Sequence, residues 1–479
     1  IDAVLPLIQV LNSDDWRIQQ NAALVLMKIG DVRAIGGLAS LAARVENAAV
    51  KDAGGKAAMS LATCVGEEGM AGDLINAANA YMWLAERYYK RDASVIKNYL
   101  GTYTIWGWKD GSLTNRDVPR YMYHLELAED AAASALVEDP GSMAARNMLA
   151  AVHYAQVGAL EGLSDDAKSD ESVQELMEKY WGVLPITAAQ GTETQLGALD
   201  LGLMWGDGSV ARGALDTLPG VWDDRWIAAD SPLVRALDSD DKTVRFAAAI
   251  AALKIGARDP YPGSEHVGEI AAQAADTGSV RQVLLIEPNA ELRASSLKAL
   301  HAAKLFAVAE ADGASGFARA KEVGTFDAIV IRASLPDKLA LMIYNELQRD
   351  FRTQGTPVII TGLGKEMDAA KELFQTNVAY AAADPIEVDV IATAVASSLN
   401  DDQKMALAIS KAACEALAGI DKTATAFTNY GAAEGALLGV LSSNKPDDIR
   451  LAALSALGRI GGTTAIEGVL ETFTKTANA

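Results

Sequence analysis

The runs Val283-Leu284-Leu285-Ile286, Ala328-Ile329-Val330-Ile331 and Val358-Ile359-Ile360 decide the fold class of the central part of this chain. Each is short, continuously apolar and rich in β-branched residues, as expected of parallel strands buried on both faces. Helical segments lie between them, so the order β-α-β-α predicts a small doubly wound sheet with helices on both faces. Outside this segment the periodicity becomes helical on both sides. Leu7, Leu11, Ser13, Asp14, Asp15, Ala22, Lys28, Ile29 and Gly30 recur as Leu233, Leu237, Ser239, Asp240, Asp241, Ala248, Lys254, Ile255 and Gly256, at a constant offset of 226 residues. The chain therefore reads as mainly α, with one α/β domain inserted into a repeated helical pattern. Its two ends must lie close together for the repeat to continue past it.

Composition narrows the function. A hydrophobic share of 50% with only 6% aromatics leans on alanine, which suits closely packed helices and argues against disorder. The net charge of −21 disfavours nucleic acid backbones and anionic membranes, because binding there needs clustered Lys and Arg. A basic protein partner, or solubility alone, fits the acidity better. No apolar run approaches the ~18 residues of a membrane span. Cys64 and Cys414 have no ligand spacing and read as free thiols in helical patterns. The chain opens at Ile1 without a Met, as a processed or truncated product would, so a signal peptide is neither seen nor excluded; a cytoplasmic location is expected.

The repeat is built from helix pairs. Two amphipathic helices between Leu5 and about Leu41 meet at Asn12-Ser13-Asp14-Asp15, where Ser13 or Asp14 can cap the second helix, whose apolar positions are Ile18, Ala22, Val25, Leu26 and Ile29 before Gly30 stops it. This resembles a HEAT repeat, more closely in the copy carrying Asp240-Asp241 and Val244-Arg245; Gln19 stands where Arg245 does. A third copy shows Leu437, Leu438, Leu441, Asp447-Asp448-Ile449-Arg450, Ala452, Ala453, Leu457, Ile460 and Gly461. Between the first two copies, Ala128, Ala135 and Pro140 resemble the small residues and terminal proline of a tetratricopeptide repeat, with His153 replacing the usual aromatic. The expected domains are a HEAT-like repeat over 1–47, a tetratricopeptide-like helical region over 48–163, a HEAT-like region over 164–274, the α/β domain over 275–400 and HEAT-like repeats over 401–479. Together they imply an α-solenoid with an inserted domain.

From Arg281 to Asn400 the chain resembles the receiver domain of bacterial response regulators, which implies a flavodoxin-like sheet. The carrying residues are Glu287 after the first strand, Leu335-Pro336-Asp337 after the third, Thr361 ending the fourth and Asp384-Pro385 ending the fifth. The resemblance also shows a degenerate site. Arg332 stands where the phosphoryl-accepting Asp belongs, Pro288 fills the slot of a second metal-binding acid, and Asp384 replaces the family's Lys. Neither acyl phosphate chemistry nor a metal or other cofactor is expected here. Instead, Arg332 should form a structural ion pair with Asp384, in an inversion of the family's acid–base pair, or with Glu287.

Other chemistry is not supported. His124, His153, His266 and His301 are scattered without metal-ligand spacing, and the paired His-Glu dipeptides of iron-binding helical-repeat enzymes do not occur. Gly54-Gly55-Lys56 and Gly362-Leu363-Gly364-Lys365 lack the glycine spacing of a P-loop and read as turns. No Gly-x-Ser-x-Gly elbow is present. One aromatic cluster stands apart: Tyr81, Trp83, Tyr88, Tyr89, Tyr99, Tyr103, Trp106 and Trp108, interleaved with Arg87, Lys90, Arg91 and Lys97 in a stretch read as helical. Trp83, Arg87 and Tyr88 are its candidate partner-binding residues; core packing is the alternative. Trp205, Trp222 and Trp226 are expected to seal the junction into the second repeat copy. The expected function is a non-catalytic protein–protein interaction scaffold or assembly subunit, with the protein partner and oligomerisation left open. A signalling adaptor that docks a regulator through the phosphorylation-incompetent receiver-like domain is the alternative, and a HEAT-repeat lyase the least supported.

Overall fold

A computed structural model describes residues 3–66, 70–97, 103–163, 165–222, 230–279, 281–303, 305–323, 326–350, 352–374, 378–396, 402–421 and 430–477. It is predominantly α, 67% helical, with a five-stranded parallel sheet. Among the described residues no helix is long and apolar enough to cross a membrane. The chain divides into two compact units, 1–159 and 160–479.

The first unit begins with α1 (Val4–Val10), α2 (Trp16–Ile29), α3 (Ile35–Arg44), α4 (Ala48–Thr63), α5 (Met70–Leu74) and α6 (Ala77–Tyr89). A hairpin of β1 (Thr104–Lys109) and β2 (Ser112–Asp117) follows, then α7 (Arg120–Glu138) and α8 (Met143–Glu161). Helix α2 starts because the Asp15 carboxylate accepts the Arg17 N–H at 2.8 Å, and it ends because Gly30 takes φ 75°. The cap is thus Asp15, not Ser13 or Asp14. Ser13 acts one step earlier, its hydroxyl accepting the Asp15 N–H at 3.2 Å. Ala22 and Leu26 of α2 are buried as expected, whereas Ile18 and Val25 are exposed.

The hairpin corrects the all-helical reading of this region. Asp110 and Gly111 both have positive φ, 53° and 75°, the two-residue turn whose twist matches paired strands. It sets Trp106 opposite Asn115 and Trp108 opposite Leu113. Its signal, Asp-Gly between alternating residues, was present in the sequence but overshadowed by the flanking helices.

The second unit contains α9 (Asp165–Lys168), α10 (Glu171–Ala188), α11 (Thr192–Trp205), α12 (Gly208–Thr217), α13 (Pro232–Leu237), α14 (Lys242–Ile255) and α15 (Val267–Asp276). The α/β segment follows as β3 (Gln282–Ile286), α16 (Ala290–Ala302), β4 (Phe306–Glu310), α17 (Gly313–Val323), β5 (Ala328–Arg332), α18 (Ala340–Arg349), β6 (Val358–Gly362), α19 (Lys365–Leu373), β7 (Ala379–Ala382) and α20 (Val388–Ala396). Helices α21 (Asp402–Ala418), α22 (Gly431–Ser442), α23 (Asp447–Ile460) and α24 (Thr463–Ala477) close the chain.

The second repeat copy reproduces the main bonds of the first at its turn and adds to them. Ser239 Oγ accepts the Asp241 N–H at 3.2 Å, Asp241 caps α14 through Thr243 N (2.8 Å) and Val244 N (3.2 Å), and Gly256 ends the helix at φ 65°. Gln19 and Arg245 even make the same bond, donating to the carbonyls of Ser13 (2.7 Å) and Ser239 (2.6 Å). An amide therefore substitutes for a guanidinium without losing the turn. The third copy differs: Pro446 occupies the cap of α23 without a side-chain bond, Asp447 and Asp448 fall in the first turn, and Gly461 has φ −69°.

The sheet order is β4-β3-β5-β6-β7, all parallel. Alternate residues face two apolar layers. Leu284, Ile286, Ile329, Ile331 and Ile360 pack with Ala320, Ile343 and Ala370 of α17, α18 and α19; Val283, Leu285, Val330 and Ile359 pack with Leu300, Ile391 and Val395 of α16 and α20. The domain's flanks are joined directly. Helix α15, before the sheet, packs on α21 and α22 after it. Ser410 Oγ donates to the Ala275 carbonyl at 2.5 Å, and Lys445 Nζ donates to the carbonyls of Ala275 (2.8 Å) and Thr277 (3.0 Å), satisfying the last turn of α15. Trp205 is buried at the end of α11, where Gly206 (φ 64°) comes so close to α17 that a Cβ would lie 2.5 Å from the Lys321 carbonyl.

Because α15 and α21 meet without help from the sheet, deletion of residues 281–396 with a short Gly-Ser linker should leave a soluble protein with a strong helical circular dichroism signal. A remainder that is unfolded would mean that the helices flanking the sheet cannot pack without it.

Candidate functional site

The carboxyl edge of the sheet gathers the residues singled out in the sequence. β5 ends at Arg332, which lies in register with Thr361 on β6; Glu287 follows β3. Arg332 is 9% exposed and Glu287 and Thr361 are also buried, so an unpaired guanidinium here would carry a large desolvation cost. Each of its nitrogens meets a carboxylate. Nε and Nη2 both donate to Glu366 at 2.7 Å, and Nη1 donates to Glu287 at 3.3 Å. The Glu366 oxygens additionally accept the Ser334 N–H at 3.0 Å and the Leu363 N–H at 3.1 Å, while the other Glu287 oxygen accepts the Asn289 N–H at 2.9 Å. The result is a two-carboxylate clamp on one buried cation, with a planar bidentate fork as its centre.

The expected pairing of Arg332 with Asp384 is corrected. Asp384 is exposed and makes no hydrogen bond or ion pair with any described residue; it precedes Pro385 through a cis peptide bond. The alternative partner, Glu287, does meet the arginine. Pro288 is half-buried, and its carbonyl accepts from Arg293 at 3.2 Å. Asp337 serves local structure, accepting the Gly313 and Ala314 N–H groups at 2.9 and 2.8 Å and so capping α17. The partner that sequence reasoning missed is Glu366. Its signal was the turn Gly362-Leu363-Gly364, where Gly364 has φ 50°, followed by an acid in the first turn of a helix.

The aromatic cluster is also redistributed. Tyr88 is 5% exposed and belongs to the core, which corrects its reading as a partner-binding residue. Trp83 and Arg87 are half-buried, the guanidinium 4.5 Å above the indole and 2.5 Å from Asp92. The cause is the helical period: on α6, Ala77, Ala80, Leu84 and Tyr88 share the face that packs on α3 and α7. Trp222 is half-buried, and Tyr99 and Trp226 lie outside the described residues. No protein-family model matches this chain, and no curated protein matches it.

Replacing Arg332 by Met leaves Glu287 and Glu366 facing each other in a buried site, so chemical denaturation of the domain should show a loss of about 3–5 kcal/mol. Adding Glu366→Gln should restore part of it; equal stability of Arg332→Met and the parent would mean the clamp is solvent-screened. Truncating Trp83, Arg87 and Tyr88 together to Ala should remove the cooperative melt of the first unit, since an aromatic core truncation alone costs about 3–5 kcal/mol. A triple variant that melts like the parent would return these residues to the surface.

Proposed function

We propose that this chain is a non-catalytic protein–protein interaction scaffold. In this reading its helix pairs form an α-solenoid of HEAT-like and tetratricopeptide-like repeats, into which a degenerate receiver-like domain is built as a structural part. The observation that carries the reading is the Arg332 clamp. A guanidinium fills the strand end where a phosphoryl-accepting carboxylate would have to stand, and Glu287 and Glu366 are committed to it. Helix pairs supply extended surface, and the acidity of the chain favours a basic protein surface over nucleic acid.

A signalling adaptor remains as a second reading because one observation favours it. Leu339 and Leu363, which sit in the loops at the same edge of the sheet as Arg332, and Met342 at the start of α18, are exposed. Such residues suit docking of a regulator that needs no phosphorylation.

Acetyl phosphate with magnesium should leave the mass of the protein unchanged, and the chain should elute with a host protein at fixed stoichiometry. Appearance of an aspartyl phosphate would sink both readings. Loss of the partner on Leu339→Ser with Met342→Ser would favour the adaptor; retention would favour the scaffold.

A further inference from the structure

The first unit contains a cavity of about 120 Å³ between α1, α3, α6, α7 and β1. Arg33, on the 3-10 turn Val32–Ala34 that precedes α3, lines it while being only 4% exposed. Its Nε and Nη2 donate to Asp31 at 3.0 and 2.9 Å, and no described residue pairs with Nη1. Asp31 is already shared, because Lys97 Nζ also donates to it at 3.2 Å. Two cations therefore share the Asp31 carboxylate, and the exposed Asp130 carboxylate on the same cavity balances the second charge, so the guanidinium is not fully neutralised by its own partner alone. The Tyr88 hydroxyl, on the same wall, hydrogen-bonds no described residue and lies within electrostatic reach of the guanidinium. Burial raises the Tyr88 phenol well above its ordinary value, with Arg33 opposing, so at neutral pH it is a donor. Two buried residues with donors unmatched among the described residues thus line one small cavity, half of a hydrogen-bonded site.

We propose that this cavity binds a small monocarboxylate, its oxygens received by Arg33 Nη1 and the Tyr88 hydroxyl. Bidentate or paired donors with a guanidinium are the common way proteins hold a carboxylate. The volume accommodates about four water-sized groups, which matches acetate or propionate. Leu84 and Leu127 offer an apolar wall for a short alkyl tail. The acid on the remaining side disfavours a dianion more than a monoanion: the exposed Asp130 carboxylate lines the cavity, and the lining Ser40 hydroxyl donates to Glu138 at 2.6 Å. This site is independent of the scaffold reading, which concerns surfaces and the clamp on the sheet.

The test uses the full chain and follows its thermal melt and the fluorescence of Trp106, which lines the cavity, at constant ionic strength. Propionate should raise the melting temperature of the first transition by mass action, whereas propionamide and phosphate should not. Tyr88→Phe removes only the hydroxyl and should keep the parent fold while weakening propionate about tenfold, the worth of a hydrogen bond to a charged group. Ser134→Leu, which fills the cavity, should abolish the shift. Equal shifts with propionamide or phosphate would overturn the carboxylate assignment. Undiminished binding in Tyr88→Phe, or a shift surviving in Ser134→Leu, would overturn the site itself.

Discussion

The Asp241 carboxylate is where the helical part of the second unit is joined to its sheet. It caps α14, and the same oxygen accepts Gln282 Nε2 at 3.2 Å, while Gln282 Oε1 accepts the Lys242 N–H at 3.1 Å. Gln282 opens β3, so the first residue of the sheet is hydrogen-bonded to the first turn of a repeat helix. Asp15, its counterpart at the corresponding turn, is exposed, whereas Asp241 is 3% exposed. Both carboxylates cap their helices, Asp15 through one backbone N–H and Asp241 through two and the Thr243 hydroxyl. What differs is that one copy has been used as a docking point, and that use is affordable only because a buried capping carboxylate finds enough donors.

Neighbouring charges follow from this docking. Arg319 of α17 pairs with Asp240 in the repeat turn and with Glu310 at the end of β4, at 3.0 Å for the latter. Lys242 Nζ donates to the Ser279 carbonyl at 2.8 Å and lies 5.5 and 5.7 Å from the ring centroids of Phe246 and Phe306. The acidic pair that marks the repeat in sequence is thus divided between two tasks, Asp241 for the strand and Asp240 for the helix that follows β4.

What could be read from sequence, and what could not, has a physical explanation. β3, β5 and β6 are legible because central strands buried on both faces must be continuously apolar. The repeat turn is legible because Ser-Asp-Asp and the closing glycine encode backbone bonds directly. The partner of Arg332 is not, because pairing across the sheet edge depends on where side chains point: Asp384, just after β7, is exposed and makes no bond to Arg332. Glu366, on the loop-side turn of the helix after β6, is nearer and has both oxygens already oriented by backbone N–H groups. Among 63 acidic residues nothing but that geometry distinguishes it. Tyr88 and Trp83 illustrate the same limit, since aromatic density alone does not say which face of a helix is covered.

The two buried arginines separate structural from ligand-binding electrostatics. Arg332 has every guanidinium nitrogen matched to a carboxylate, and those carboxylates are matched in turn by backbone donors. A group so completely satisfied has nothing left to offer a ligand, and any substitution there acts on stability. Arg33 is also buried, but its carboxylate is divided with Lys97, and neither its Nη1 nor the Tyr88 hydroxyl on the same cavity is hydrogen-bonded to a described residue. Burial of a charge is tolerated when its hydrogen-bonding capacity is filled. By that criterion the carboxyl edge of the parallel sheet is complete as it stands, and the unfilled hydrogen-bonding capacity lies in the helical first unit.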